Sequence, residues 1–407
     1  MLKVIVDVTP MTAKPSGVGL YVANLIKHLG LSRSSSISRL PKAGFLNGRL
    51  TEFTPLKLNL FYQPGLKKWL SGDVSYPESL PEDLERYFFP YPVRISNWFI
   101  NNYPQIFAKL LDSEFAKYQI FHGTNFSVYP DSHTFKVMTL YDLTFLRYPQ
   151  YVDQVVAKYF KRVRKCLQWT DLIVAISEST KQDAIKYLGI SPEKIFVTPL
   201  ASRYSPQYLQ DQNIEIDILK AESNYNFEIP YLLFVSTIEP RKNIIALIEA
   251  FNYLKQQRKI EHNLVLIGKK GWLYEDIFQA IADSPFRDSI YHLDYLSDQL
   301  VALFYQLAKV FVYPSHYEGF GLPVLEAMNL GTPVVCSNTS SLPEVAGDAA
   351  LMVDPDQPLD LAEQILRVLE SEELQQSLVG KGYQQAQRFS WEKTAIKTLE
   401  AYLHLLT

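Results

Sequence analysis

A chain of 407 residues exceeds one ordinary core and suits two or three domains. Its 47% hydrophobic and 20% charged residues belong to a globular protein rather than a disordered one, and a formal net charge of -3 gives no global basic field for nucleic acid. The start MLKVIVDVTP lacks the apolar run of a signal peptide, no window approaches the roughly 18 apolar residues of a membrane span, and Cys166 and Cys336 sit among apolar neighbours as buried free thiols would.

Along the chain, 2–8 reads as a buried strand, and Gly17-Val18-Gly19 leads into helical apolar spacing over 21–29. The Ser-rich stretch 31–48 reads as a loop, and the residues from there to about 100 give no assignable pattern. FYQPGLKKWL (61–70) and RYFFPYPVRISNWFINNYPQIFAKLL (86–111) mix aromatic rings with Lys and Arg. Such a mixture suits a membrane interface, or an aromatic core with snorkelling cations. IFHGTNF (120–126), KVMTLYDL (136–143), DLIVAIS (171–177) and KIFVTPL (194–200) read as strands. A helix is expected over 152–169, and another capped by Ser177 runs to Leu188.

Residues 201–228 form a polar connector, and a second alternation follows. Strands are expected at 231–237, 263–269, 290–296, 310–315 and 332–337, with helices at 243–257, 274–283, 298–307 and 322–329, and a last helix over 390–406. Strands alternating with helices imply a parallel sheet covered on both faces, so each half is an α/β doubly wound domain. Ligands of such sheets bind beyond the carboxyl ends of the strands, which places a cleft between two facing halves.

The Gly17/Gly19 turn could offer backbone N–H groups to an anion at a helix N-terminus, or could be a plain tight turn. In EPRKN (239–243), Arg241 and Lys242 stand between a strand and a helix. Adjacent cations at a sheet's carboxyl edge can neutralise a diphosphate. In EGFGLPVLE (318–326), Glu318 falls in a loop, Gly319 and Gly321 allow close approach to the backbone, and Glu326 sits inside an otherwise apolar helix where an ordinary solvated role does not explain it. Asp354 and Asp356 resemble a metal clamp, but beside Pro and before a helix they are turn and N-cap chemistry. Zinc spacings, a nucleophile elbow and a Walker loop are absent from the sequence.

SGVGLYVANL (16–25), FVSTIEPRKN (234–243), LVLIGKKGW (264–272) and the run 313–355 around EGFGLPVLE together resemble the retaining nucleotide-sugar glycosyltransferases of group 1, or family 4. EPRKN and the segment 175–201 are most similar to bacterial mannosyltransferase-like enzymes of O-antigen and related polysaccharides. The resemblance implies the GT-B architecture, two Rossmann-like doubly wound parallel-sheet domains facing a central cleft. An acceptor-side domain would span 1–205, a nucleotide-sugar domain 206–388, and a helix over 389–407 would cross back to the first domain.

It further implies that Arg241 and Lys242 hold the donor diphosphate and that Glu326 takes the ribose hydroxyls. Glu318, with Gly319, Phe320, Gly321 and Leu322, would contact the transferred sugar and phosphate, Ser236 and Gly268 would complete the donor side, and the Ser16–Gly19 turn would close over the diphosphate or frame the acceptor. No metal or other cofactor is implied beyond the nucleotide-sugar co-substrate, GDP-mannose being favoured. The implied acceptor is a lipid-linked or other glycan, and the implied location is the cytoplasm, with peripheral contact at the inner membrane face. The family's usual His-Asp is here Tyr141-Asp142 in VMTLYDL. Tyr can donate a hydrogen bond but carries no charge at neutral pH. His122 in IFHGTNF, offered with Asp142 as an acceptor-side residue, would contribute there or be structural. A non-catalytic sugar-nucleotide-binding scaffold and a GT-B epimerase remain as rival readings.

Overall fold

The structure, a computed structural model, describes residues 1–11, 17–31, 56–72, 80–81, 83–152, 154–212, 215–223 and 225–407; the side chains of 31 and 154–159 are not among them. Ser16 and the greater part of the Ser-rich stretch lie outside the described residues. The first half carries β1 (Leu2–Asp7), β2 (Leu56–Tyr62), β3 (Glu85–Phe88), β4 (Ile120–Gly123), β5 (Phe135–Leu140), β6 (Leu172–Ala175) and β7 (Ile195–Val197). They form one parallel sheet in the order β3-β2-β1-β4-β5-β6-β7. The second half repeats the plan with β8 (Tyr231–Val235), β9 (Asn263–Ile267), β10 (Ile290–Leu293), β11 (Val310–Tyr313), β12 (Val334–Ser337) and β13 (Ala350–Val353), ordered β10-β9-β8-β11-β12-β13. Both orders reverse after their first strand, which opens a crevice at the carboxyl edge.

Continuous apolar strands such as LKVIVD and NLVLI are what a sheet buried on both faces requires. β2 and β3 lie within the stretch that sequence patterning leaves unassigned, because neighbouring Pro, Lys and aromatic residues obscure their period. The sequence reading also passed over β13 and the helix Leu342–Ala346, each too short to show a period. Connector 201–228 holds two short helices, Tyr208–Asp211 and Ile216–Glu222. Ser177 caps its helix, its hydroxyl accepting from Thr180 N at 3.0 Å.

The aromatic segments divide. Phe61 is the hub of a buried cluster, with ring centroids 5.9 Å from Phe89, 5.8 Å from Phe115, 5.7 Å from Phe121 and 5.4 Å from Tyr129. Trp69, Tyr91, Trp98 and Tyr103 of the same segments are exposed. Among the described residues no helix is long and apolar enough to cross a membrane.

The last helix, Trp391–His404, packs on the first half, against the helix Gly17–Leu31 and the edge of β6 and β7. Trp391 Nε1 donates to the Ser202 carbonyl at 3.1 Å and Thr394 Oγ1 to that of Pro199 at 2.6 Å. Tyr402 reaches deeper, its hydroxyl 2.6 Å from His122 Nδ1, while His122 Nε2 lies 2.8 Å from Thr139 Oγ1. His122 is wholly buried with both ring nitrogens occupied, which corrects its acceptor-side placement: it is a core residue that fastens the terminal helix.

Burial pushes the His122 pKa down to about 3, so the folded protein holds a neutral ring where the unfolded chain would take a proton near 6.5. The unfolded state therefore binds more protons between these values, and His122's contribution, complete above pH 6.5, is lost as pH falls toward 3. Replacing His122→Gln should lower the denaturation midpoint at pH 7.5 and flatten its decline between pH 7 and 4.5; an unchanged pH slope would contradict the assignment.

Candidate active site

The loops at the carboxyl edge of the second sheet converge on one buried ion cluster. After β8, Glu239 to Lys242 form a 3-10 turn, and Asn243, at φ 56°, redirects the chain into the helix Ile244–Gln257. This turn aims Arg241 and Lys242 at the loop that follows β11. Lys242 Nζ donates to Glu318 Oε1 at 2.6 Å and to the Tyr313 hydroxyl at 2.9 Å. Arg241 Nη1 donates to Glu318 Oε2 at 3.1 Å and to the Tyr317 carbonyl at 2.6 Å, and Nη2 donates to Glu239 Oε1 at 2.7 Å. Arg241 Nε is buried without a hydrogen-bond partner, leaving one donor unspent.

Two cations thus face two carboxylates, with side-chain exposures of 12% for Arg241, 5% for Lys242, 2% for Glu239 and 9% for Glu318. Burial would raise the Glu318 pKa, but Lys242 and Arg241 outweigh it and hold the carboxyl down at about 2. Burial and Arg241 push the Lys242 pKa down, and Glu318, Tyr313 and Glu239 together more than compensate, so its ammonium is retained.

Ser236, half-buried, lies 3.5 Å from the Tyr313 hydroxyl, which brings it to the same cluster. Gly268 follows β9 at φ +147°, and a Cβ there would stand 1.9 Å from the Ser236 carbonyl oxygen, so only glycine lets the two loops touch. Gly321 opens the helix Leu322–Asn329 at φ +108°, while Phe320 is buried edge-on against Phe389, 5.6 Å away. Ser341 Oγ lies 2.9 Å and 2.7 Å from the carbonyls of Glu318 and Phe320, and Ser340 Oγ accepts from Glu318 N at 2.9 Å. These two serines fix the loop.

Glu326 stands apart from Glu318, on the buried face of its helix. Its partner comes from the connector: Arg203 Nε donates to Glu326 Oε1 at 2.9 Å and Arg203 Nη1 to Asp298 at 2.8 Å. The Tyr305 hydroxyl lies 3.4 Å from Glu326 Oε2. Burial pushes the Glu326 carboxyl up while Arg203 pulls it down.

The first half closes against this edge. Tyr317 reaches across, its hydroxyl donating to Asp183 at 2.7 Å and accepting from Leu143 N at 3.2 Å. Glu344 accepts from Glu178 N at 2.9 Å and Ser179 N at 3.2 Å, capping a first-half helix with a second-half carboxylate. Trp272 Nε1 donates to the Tyr151 carbonyl at 2.5 Å. Asp142 accepts from Thr144 N at 3.0 Å and its charge acts on Arg241, so it faces the cluster from the opposite wall.

Tyr141 needs a correction. Its hydroxyl donates to the Thr124 carbonyl at 2.5 Å and its ring packs edge-on against Tyr21 and Phe126, within the first half. Burial raises its pKa well above 10, so the hydroxyl stays neutral and committed. Its contribution to this edge is its backbone: a Cβ on Gly319 would stand 2.1 Å from the Tyr141 carbonyl oxygen. Gly319 therefore serves the contact between halves. Gly17 and Gly19 begin the helix that carries Tyr21 onto Tyr141. Asp356 N donates to Asp354 Oδ1 at 2.9 Å, a turn as expected, and no group of three or more metal-ligating side chains occurs among the described residues.

Sequence reasoning missed Glu239, Arg203, Ser340, Ser341 and Glu344. Glu239 was legible, being inside EPRKN; the others meet the site from 15 to 166 positions away in sequence.

Comparison with known proteins follows this geometry. Residues 215–385 match the family model described as "Glycosyl transferases group 1". The chain is 30% identical over 404 residues to an Escherichia coli protein named O-antigen chain mannosyltransferase B, covering 98% of this chain and 99% of that one. Among solved structures, sucrose-phosphate synthase from Thermosynechococcus elongatus superposes with a TM-score of 0.71 at 17% identity, covering 100% of this chain and 99% of the other. Anabaena Alr3699/HepE, solved with UDP and glucose, gives 0.67 at 15% identity over 99% and 100%. The fold is GT-B.

The Gly319 contact yields a structural prediction. Gly319→Ala should force the halves apart and raise the radius of gyration seen by small-angle scattering, without loss of helical circular dichroism; an unchanged scattering curve would show that Gly319 does not govern closure.

Proposed function

This chain belongs to the group 1 glycosyltransferases, and from that premise we propose that it transfers a hexose, mannose, from GDP-mannose to a lipid-linked glycan acceptor in cell-surface polysaccharide synthesis. The observation that carries the reading is the Arg241–Lys242–Glu318 cluster at the carboxyl edge of the second sheet, beside a helix N-terminus. The name of the Escherichia coli relative supports mannose and the O-antigen setting.

The donor diphosphate lies against Arg241 and Lys242. Arg241 offers its unspent Nε, and both cations exchange part of their pairing with Glu318 and Glu239 for phosphate oxygens. Glu326 receives the ribose hydroxyls, with the Arg203 guanidinium opposing the burial that raises its pKa. The bond between the anomeric carbon and the β-phosphate oxygen breaks as the acceptor oxygen bonds to that carbon from the same face. The acceptor proton passes to the departing phosphate, and the products are a retained mannoside and GDP. Negative charge grows on the leaving group, so fixed cations favour the transition state over the ground state. They fill the role a metal ion takes at other phosphate-leaving sites, and the reaction proceeds without one. Glu318 faces the sugar and tempers the cations.

A donor panel with a lipid acceptor fraction tests the assignment, with release of GDP from GDP-mannose expected to exceed that from other nucleotide sugars. Glu318→Gln should cut turnover by about 100-fold, the scale of one lost transition-state contact, while GDP binds as tightly or more tightly because one anion has left the cation pair. Equal turnover, or a weakened GDP affinity with unchanged turnover, would contradict the assigned roles.

A further inference from the structure

A second meeting of cations lies in the first half, apart from the Arg241 cluster. A cavity of about 360 Å³ opens between the helix Val93–Asn102, the loop after β4 and the helix Gln154–Cys166. Arg94, Asn97, Asn101, Ser127, Arg162 and Lys165 provide its polar wall, and among the described residues no carboxylate lines it. Arg162 Nη2 donates to Ser127 Oγ at 2.6 Å, but its Nε is buried with no partner. Lys165 Nζ spends one proton on the Asn101 carbonyl at 2.8 Å. Arg94 is exposed and makes no hydrogen bond or ion pair among the described residues. Among the described residues the buried Asp7 carboxyl interacts with Arg162, and burial raises the Asp7 pKa to about 6.

Three cations around one volume repel unless an anion joins them. Two guanidinium groups, an ammonium and two side-chain amide NH2 groups supply donors a phosphoryl group can use, while the Ser127 hydroxyl is spent, donating to the Asn125 carbonyl at 3.1 Å and accepting from Arg162.

The rim is apolar. Trp98 is one helical turn from Arg94 and 54% exposed, with its ring centroid 5.6 Å from that of Tyr103. Ile106 and Leu110 continue the exposed face on the helix Pro104–Phe115, whose inward Phe107, Leu111 and Phe115 already fill the core. From Phe89 to Leu111 the charged residues are Arg94 and Lys109, both cations. The neighbouring short helix Leu66–Leu70, joined through Val93 N to the Pro64 carbonyl at 3.2 Å, adds Lys67, Lys68, Trp69 and Leu70.

We propose that this cavity binds the phosphate or diphosphate of a lipid phosphate, with Trp98, Tyr103 and Ile106 receiving the first part of its apolar chain. The site would hold the anchor of the acceptor rather than its sugar end, and to that extent it rests on the lipid-linked-acceptor reading above.

The test is binding of farnesyl diphosphate, inorganic pyrophosphate and farnesol, with the donor cleft first saturated with GDP. Farnesyl diphosphate should bind at least tenfold more tightly than either pyrophosphate or farnesol. Arg94→Gln should weaken it several-fold, the Arg94→Gln/Arg162→Gln pair at least tenfold, and Trp98→Ala should weaken farnesyl diphosphate but not pyrophosphate. Pyrophosphate binding as tightly as farnesyl diphosphate would make this a free-phosphate site and overturn the proposal. Affinity unaffected by Arg94→Gln, a single exposed substitution that leaves the core untouched, would overturn it as well. Because the readout is binding, it stands whether or not sugar transfer is found, so failure of this site and failure of the transferase reading are distinguishable.

Discussion

The Glu318 carboxylate, shared between Lys242 Nζ at 2.6 Å and Arg241 Nη1 at 3.1 Å, is the interaction on which the second half's active edge depends. A buried ion pair gains little net stability, because the charges lose their water, but removing one partner leaves an uncompensated charge and is costly. The cluster is therefore held in a charged, preorganised state that the surrounding fold has to support. Glu239 orients Arg241, Tyr313 holds Lys242, and Ser340 with Ser341 pins the loop of Glu318. On the proposed reading a diphosphate would meet cations already fixed in place, with little reorganisation left for the reaction.

The same loop joins the halves. Tyr317 precedes Glu318 and bonds Asp183, Gly319 follows it and abuts the Tyr141 carbonyl, and Thr180 Oγ1 lies 3.1 Å and 3.3 Å from the carbonyls of Tyr141 and Gly319. Closure and the charge cluster consequently share a few consecutive residues. A movement of one half relative to the other is felt directly at Glu318. The terminal helix, held by Tyr402 and Trp391, makes a second covalent crossing between halves and limits how they can separate.

Much of this was legible in the sequence. Alternating buried strands and helices announced two doubly wound halves, and EPRKN and EGFGLPVLE sit at strand ends, where such sheets place ligands. What the sequence could not display was partnership at a distance: Arg203 reaches Glu326 across 123 positions, and Glu344 caps a helix 166 positions away. Two local readings met one obstacle. His122 lies within β4 and Tyr141 follows β5, yet the terminal helix buries His122, as its structural alternative allowed, and the Thr124 carbonyl engages the Tyr141 hydroxyl. The aromatic segments divide between core and surface, with Phe61 and Phe107 inside and Trp98 and Tyr103 outside.

We propose Arg241 and Lys242, both paired with Glu318, as the diphosphate site. Calorimetric titration with guanosine, GMP and GDP measures it directly. GDP should bind at least tenfold more tightly than guanosine, and Lys242→Met should remove most of that difference. Equal affinities for GDP and guanosine, or a difference that survives Lys242→Met intact, would contradict the account.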